Sequence, residues 1–449
     1  MRKLYLLLAF GMFFGKFHAQ ENLSFSLNEA IDYALENAFS AINAGRDISI
    51  AEEEKRKTKA MGLPQINAEG NYRQYLRVPL SLVPSEIFGG TPGQFEEVFL
   101  GTKHNASGIA TLEQLIFDGS YLIALQSSKV YMQISKNAKE KNRQKIRETI
   151  INAYGNVLMS EESINILYNN QESLSKTLEE TIQIFNNGLT EEEDVEQLQI
   201  TLASVNSNLA RTKRQYTIAK QLLNLAMGID INRNIVLSEK LENLASKFVQ
   251  FGSITAGFNV EKHIDYKIAK NTERGKELLM KLEESRKLPT LNGFLNYGIN
   301  GFSDSFDFFN TDKKWFSFSQ VGLNLKIPIF SGFARSAAIE KSKIELSKYR
   351  TDLFELEQKL KLNVATAKTD YNFFISELSN ALKNLALAER IEKKQQIKYF
   401  EGISSSFEFS EAQRQLYTMQ QNYLKSLFEV ISSKAKLDSA LNEPIDNKK

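Results

Sequence analysis

The feature that most limits what this chain can become is the placement of its prolines. Across 449 residues the prolines are Pro64, Pro79, Pro84, Pro92, Pro289, Pro328 and Pro444, which leaves spans 93–288 and 329–443 without one. Proline removes a backbone donor and clashes with the preceding turn, so its absence over such lengths lets very long helices run. Both spans keep a seven-residue repeat. After Gly188 the a positions are Val195, Leu202, Leu209, Tyr216 and Leu223, with Leu198, Val205, Thr212, Ala219 and Ala226 at d. After Gly402 the a positions are Phe409, Leu416, Tyr423, Val430 and Leu437, with Ala412, Met419, Ser426, Ser433 and Ala440 at d. Upstream of the glycines, Ile146, Ile150, Val157, Ile164, Leu167 and Leu174 keep the spacing, as do Val364, Tyr371, Leu378 and Leu385. A strict heptad predicts left-handed supercoiling. An unbroken helix from Gly119 to Phe185 would extend roughly 100 Å at 1.5 Å per residue, far beyond a globular core. Large residues at a with small or polar ones at d predict helices packed closely on both flanks, which suits a hollow wall. The heptads alone fit an ordinary antiparallel coiled coil equally well.

Self-similarity predicts an internal duplication. Leu63-Pro-Gln-Ile-Asn-Ala-Glu-Gly-Asn-Tyr72 matches Leu288-Pro-Thr-Leu-Asn-Gly-Phe-Leu-Asn-Tyr297, and Ile116-Phe-Asp-Gly119 matches Ile329-Phe-Ser-Gly332. Leu223-Asn-Leu-Ala-Met-Gly228 likewise matches Leu437-Asp-Ser-Ala-Leu-Asn442. The first copy is expected over 20–262 and the second over 263–449, each running helix, strand pair, long helix, glycine break, long helix. Helical hairpins are expected over 119–228 and 332–442, with 229–262 as the segment between the halves. Strands are expected at 66–78, 105–117, 290–302 and 315–329, where apolar and polar residues alternate. Ile66, Ala68, Gly70, Tyr72, Leu76 and Val78 share one face, opposite Asn67, Glu69, Asn71, Arg73 and Arg77. The same alternation groups Ala106, Gly108, Ala110, Leu112 and Ile116, then Leu291, Leu295, Tyr297 and Ile299, and finally Trp315, Val321, Leu323, Leu325, Ile327 and Ile329. The connections 79–104 and 303–314 read as loops, the longer one as a tolerated insertion, with a surface-exposed lid or a receptor site as the alternatives. Such strands fit an outer-membrane barrel wall and, one by one, a soluble sandwich. Four strands cannot close a barrel, and a bare edge cannot face lipid. Insertion therefore calls for oligomerisation, and three copies would supply twelve strands.

Composition narrows the chemistry. A formal charge of +2, with lysines scattered rather than striped, argues against a nucleic-acid partner. The absence of cysteine removes disulfides, thiolate metal sites and the residue needed for a lipid anchor at a mature N-terminus. His18, His104 and His263 are too separated to suggest a metal site. With no phosphate-cradling glycine loop and no nucleophile motif, neither an enzyme nor a cofactor is expected. The N-terminus has Arg2 and Lys3, an apolar core too short to span a bilayer, and Ala19, which together predict a signal peptide over 1–19. Phe17 is bulkier than the usual cleavage pattern asks, and a retained anchor is the alternative. No later apolar run approaches the ~20 residues of a membrane helix, so any insertion must use strands.

The opening helix Leu27-Asn-Glu-Ala-Ile-Asp-Tyr-Ala-Leu-Glu-Asn37, the Leu-Pro pairs at 63 and 288, the Ile-Phe pairs at 116 and 329, and both glycine breaks followed by heptads resemble the TolC family of outer-membrane efflux proteins. The resemblance covers nearly the whole mature chain. It implies an α+β membrane protein, a homotrimer whose strands form a twelve-stranded barrel in outer-membrane lipid and whose helices form a periplasmic tunnel. Ala38 stands where the family often has proline. The implied activity is that of a passive exit duct in a tripartite pump for small molecules such as drugs. Its implied partners are a periplasmic adaptor and an inner-membrane pump of the RND type or an ABC transporter. A channel for type I protein secretion and a coiled-coil scaffold without a pore are the alternatives. By the same resemblance Gly188, Leu189, Gly402 and Ile403 lie at periplasmic tips that dock the adaptor, and Asp194, Tyr399, Glu408 and Glu411 form the entrance constriction. Glu408 and Glu411 lie one turn apart, and three copies would form carboxylate rings that favour cations. Ser404 occupies the place of a basic residue, which puts an ionic latch there in doubt. A plainer role is open for the acids. Thr190 with Glu193 and Ser405 with Glu408 have capping-box spacing, and acids in a first turn suit the helix dipole.

Overall fold

The computed structural model describes residues 23–249 and 258–442, so the expected signal peptide and part of the segment between the halves lie outside the described residues. The order is β1 (Leu23–Phe25), α1 (Leu27–Asn37), α2 (Phe39–Ala60), β2 (Gln65–Gln74), β3 (Leu80–Pro84), β4 (Phe95–Phe99), β5 (His104–Asp118), α3 (Gly119–Asn186) and α4 (Glu192–Met227). There follow β6 (Ile235–Leu237), α5 (Leu241–Phe248), α6 (Ile264–Ser285), β7 (Thr290–Ser303), β8 (Phe316–Lys326), α7 (Ala334–Phe400) and α8 (Ser406–Leu441). The proline-free spans do run as long helices, α3 with 68 residues and α7 with 67. The chain divides into two compact units that cut across the sequence halves. One holds the described residues of Met1–Asn43, Glu140–Val260 and Lys359–Lys449, and the other holds Ala44–Lys139 and Glu261–Gln358.

The first unit is a helical core. Ile150, Tyr154 and Val157 of α3 cluster with Leu223 and Met227 of α4, Leu424, Leu427 and Ile431 of α8, and Ala30 and Ala34 of α1. Full burial of each such aliphatic side chain is worth about 1.5–3 kcal/mol. Helix α8 carries two adjacent seams. Phe409, Ala412, Leu416, Val430 and Leu437 follow the expected heptad, and Ser410, Gln413, Leu424, Leu427 and Ile431 form a second buried row beside it. Val430 and Leu437 pack on Tyr371 of α7, whereas the second row meets α3 and α4, so α8 is covered on both flanks. At Ala38 the backbone turns to φ −59, ψ 139, which separates α1 from α2 at the position where the family often has proline. That φ is the one a proline ring would impose. Strand β1 pairs in parallel with β6, Leu23 opposite Ile235, and the buried Tyr154 hydroxyl donates to Phe25 O at 2.9 Å. A three-residue strand shows no periodicity, and the sequence reading does not include it.

The second unit contains an antiparallel sheet in the order β2-β5-β7-β8. Its register aligns Ile66 with Leu112, Leu112 with Leu295, and Leu295 with Val321. The expected apolar residues therefore form one continuous face, and Val321 on it is 80% exposed. On the opposite face Phe318 lies over its cross-strand partner Gly298 and Phe294 over Gly322; an added Cβ would come within 2.4 Å and 2.5 Å of those rings. These rings take the place of missing side chains on the pleat.

Three expectations about the strands need correction. The first strand stops at Gln74 rather than 78; Tyr75 N–H still donates to Lys103 O, but Leu76 and Val78 are outside the ladder and Pro79 has no donor to extend it. The fourth runs 316–326 rather than 315–329, because Pro328 ends the pairing and Trp315 lies before it. The connection 79–104 is not a structureless loop. It holds the β3–β4 hairpin, joined by a short 3₁₀ turn at Ser85–Phe88.

Candidate functional site

Both helical tips close with a left-handed glycine, Gly188 at φ 73 and Gly402 at φ 71. Leu189 N–H returns to Ile184 O at 3.1 Å and Ile403 N–H to Lys398 O at 2.8 Å, so the last carbonyls of α3 and α7 are satisfied. The two residues that follow the glycines are left bare: Leu189 is 77% and Ile403 is 70% exposed.

The capping box at α8 forms as expected. Ser405 N–H donates to Glu408 Oε2, and Glu408 N–H donates to Ser405 Oγ at 3.2 Å. Ser404 Oγ adds a bond to the same carboxylate at 2.7 Å. The Ser404 and Ser405 donors, with a smaller contribution from Lys398, hold the Glu408 carboxyl below its ordinary pKa. The expected box at α4 is absent. Glu191 is the N-cap and makes no side-chain cap, so Thr190 does not pair with Glu193. Its hydroxyl donates instead to Asp194, whose carboxylate reaches back over the first turn.

Asp194 also crosses to the other hairpin, where its Oδ1 accepts from Ser406 N–H at 3.3 Å. Burial penalises the Asp194 charge, yet the bonds from Ser406 and Thr190 outweigh it and leave the carboxyl below its ordinary pKa. Tyr399 makes the second crossing. Its hydroxyl lies 3.0 Å from that of Thr181, and its ring stacks on Phe409 at 5.4 Å. Asp194 and Tyr399 are thus each a bridge between the hairpins of one chain, α4 to α8 and α3 to α7, through partners that the sequence reading misses. Thr181 left a signal: it is polar at a heptad position and fully buried.

Glu411 behaves differently from Glu408. Arg414 holds it in a fork, Nη2 to Oε1 at 2.5 Å and Nε to Oε2 at 2.9 Å. An exposed pair of this kind adds little stability, but it offsets the charge locally. Both residues line an open groove of about 700 Å³ between α4 and α8, together with Ile200, Arg211 and Phe407.

A sequence profile of outer membrane efflux proteins matches residues 30–229 and 279–443. The chain belongs to the outer membrane efflux protein family. The outer membrane protein TolC of Vibrio cholerae is 20% identical over 294 residues, which is 65% of this chain and 66% of that protein. The chain thus spans just under two thirds of that relative. Among solved structures, the CmeC outer membrane channel of Campylobacter jejuni superposes with a TM-score of 0.73 at 16% identity, covering 92% of this chain and 85% of that one. The outer membrane protein VceC of Vibrio cholerae gives 0.70 at 15% identity over 94% and 97% of the two chains. At these identities what is shared is the fold. A protein of this family lies in the outer membrane, with its helical part in the periplasm. Among the described residues no helix is long and apolar enough to cross a membrane.

Proposed function

We propose that this efflux protein is the passive exit duct of a tripartite pump, a homotrimer that conducts small molecules from a periplasmic pump to the exterior. The observation that carries this reading is the four-stranded sheet. It has an apolar outer face and unpaired edges on β2 and β8, with β5 running straight into the 68-residue α3 and β8 reaching the 67-residue α7 through a short connection. An unpaired edge in lipid is costly, and joining β2 of one copy to β8 of the next removes every edge at twelve strands. The bare Leu189 and Ile403 at the tips offer an apolar seat for a periplasmic adaptor, which would couple the duct to an inner-membrane pump of the RND type or an ABC transporter. The cross-hairpin bridges of Asp194 and Tyr399 hold the entrance narrow. The duct carries out no chemistry of its own.

The test is a planar bilayer. An unheated gel should show an oligomer that heat dissociates, and that oligomer should conduct; a soluble monomer without conductance would sink the reading. Selectivity separates the two acids. Glu408→Gln should lower the cation-to-anion permeability ratio several-fold, as expected for removing a carboxylate beside the path of a passing ion. Glu411→Gln alone should also lower it, because it leaves Arg414 as an unpaired cation, and Arg414→Gln should raise it, whereas the double replacement Glu411→Gln, Arg414→Gln keeps the net charge and should change it little. A large effect of the double replacement would count against this division.

A further inference from the structure

The β3–β4 hairpin is a built element that the duct reading leaves unused. Leu80 pairs with Phe99, Leu82 with Glu97, and Pro84 with Phe95, so Leu80, Leu82, Phe95 and Phe99 share one face. That face is bare, with Leu82 65% exposed and Phe95 and Phe99 each 63% exposed. The hairpin is also firmly made. Ser85 is buried and its hydroxyl donates to Thr91 O at 2.9 Å or Gln94 O at 3.0 Å, and Gly93 N–H donates to Glu86 Oε1 at 2.9 Å. At its root Lys103 N–H donates to Asp304 Oδ1 at 3.2 Å, which fixes it to the β7–β8 connection. A hairpin this small is marginal alone, and a contiguous apolar face left in water marks an interaction site.

We propose that this face packs against the outer rim of the next copy of the chain, so that the hairpin is a clasp between neighbours. The proposal rests on the duct reading, since it uses the same neighbour. The hairpin grows from the end of β2, an edge strand of the sheet, at the end remote from the helices. The copy that pairs with this edge is therefore the nearest surface, and rotational symmetry repeats the contact for every hairpin. Charge favours a protein partner over lipid. Glu97 lies on the apolar face between Phe95 and Phe99, where acyl chains would leave its carboxylate unsolvated. The root of every copy offers the exposed Arg77 and Lys103 as counter-charges.

The chain has no cysteine, so a single introduced thiol reports one position. Leu82→Cys, Phe95→Cys and, on the opposite face, Glu96→Cys would each be made in the full-length protein and exposed on intact cells to a membrane-impermeant maleimide or a short bis-maleimide. The clasp predicts loss of labelling at positions 82 and 95 with full labelling at 96, together with copy-to-copy cross-links from 82 and 95. Full labelling at 82 and 95 in a protein that still runs as an oligomer overturns the clasp alone. Protection without any cross-link points to lipid and also overturns it. A monomer on the unheated gel of the cysteine-free parent overturns both the clasp and the duct.

Discussion

Gly228→Ala should remove most of the assembled protein from the outer membrane. Gly228 closes α4 at φ 79, a left-handed conformation that costs a side-chain-bearing residue about 1–2 kcal/mol. The larger penalty is steric. An added Cβ would fall 2.2 Å from Asn37 O, 2.9 Å from Asn37 C and 3.1 Å from Ala38 Cα. All three are backbone atoms, so no rotamer change relieves the clash. The chain must move α1 off the end of α4, and α1 brings Ala30 and Ala34 to the same core as Leu223 and Met227. The combined loss should reach about 4–5 kcal/mol, the upper range for a single substitution and a large share of the 5–15 kcal/mol that holds a typical domain folded. Gly188→Ala is the control. Its φ is also positive, but an added Cβ there meets nothing within 4 Å, so only the conformational cost applies. Thermal melting in detergent and the oligomer band on an unheated gel measure both. Assembly of Gly228→Ala at the parent level would mean that the α1–α4 junction yields more easily than its geometry implies.

The double variant Asp194→Ala, Tyr399→Phe should give a duct that conducts more at neutral pH. It removes the Asp194 bonds to Ser406 and Thr190 and the Tyr399–Thr181 bond, while the Tyr399 ring and its stacking on Phe409 remain. A hydrogen bond to a charged group is worth about 1.5–3 kcal/mol and a neutral one about 0.5–1.5 kcal/mol. Counting only the two bonds that cross between the hairpins, Asp194 with Ser406 and Tyr399 with Thr181, the loss per chain is about 2–4.5 kcal/mol, and the open-to-closed ratio should rise more than tenfold. Acid should imitate the Asp194 half of this variant in the parent. Because the folded carboxyl titrates below its ordinary value, its contribution is complete at pH values above about 4 and is lost as pH falls through the lowered folded pKa. Conductance should therefore be flat across neutral pH and rise only in strong acid, and the double variant should lose the Asp194-dependent part of that rise. Unchanged conductance in the double variant would show that other contacts close the tips.

The sequence disclosed what is periodic and hid what is paired. Most of the heptad positions after Gly188 and Gly402 are buried, because a seven-residue repeat on a long helix leaves one consistent stripe to cover, while Leu202, Tyr216 and Tyr423 are only half-buried. The strand faces were legible for the same reason, whereas the register that sets Ile66 beside Leu112 and Leu295 comes from the structure. The strand ends were less so, since alternation continues through Val78 and Ile329 while the ladder is ended near Pro79 and Pro328. Two five-residue strands flanked by prolines and glycines are too short to show a period, and the hairpin at 79–104 passed for a loop. At the tips, Thr190 had two acids within reach, Glu193 for a cap and Asp194 for a cross-link, and spacing could not choose between them. Thr181 and Ser406 meet partners 218 and 212 residues away in the chain, distances that no local pattern encodes.

The parallel pairing of β1 with β6 bears on the order in which this protein can be made. Leu27 N–H donates to Glu239 Oε2, 212 residues further along, and Leu23 lies against Ile235. The first described strand therefore finds its partner only after the long hairpin of α3 and α4 has been made. More than half of the chain must be exported before the helical core around Tyr154 can close over Phe25. Until then a long amphipathic polypeptide stands in the periplasm with its seams open, and contacts of such separation form slowly.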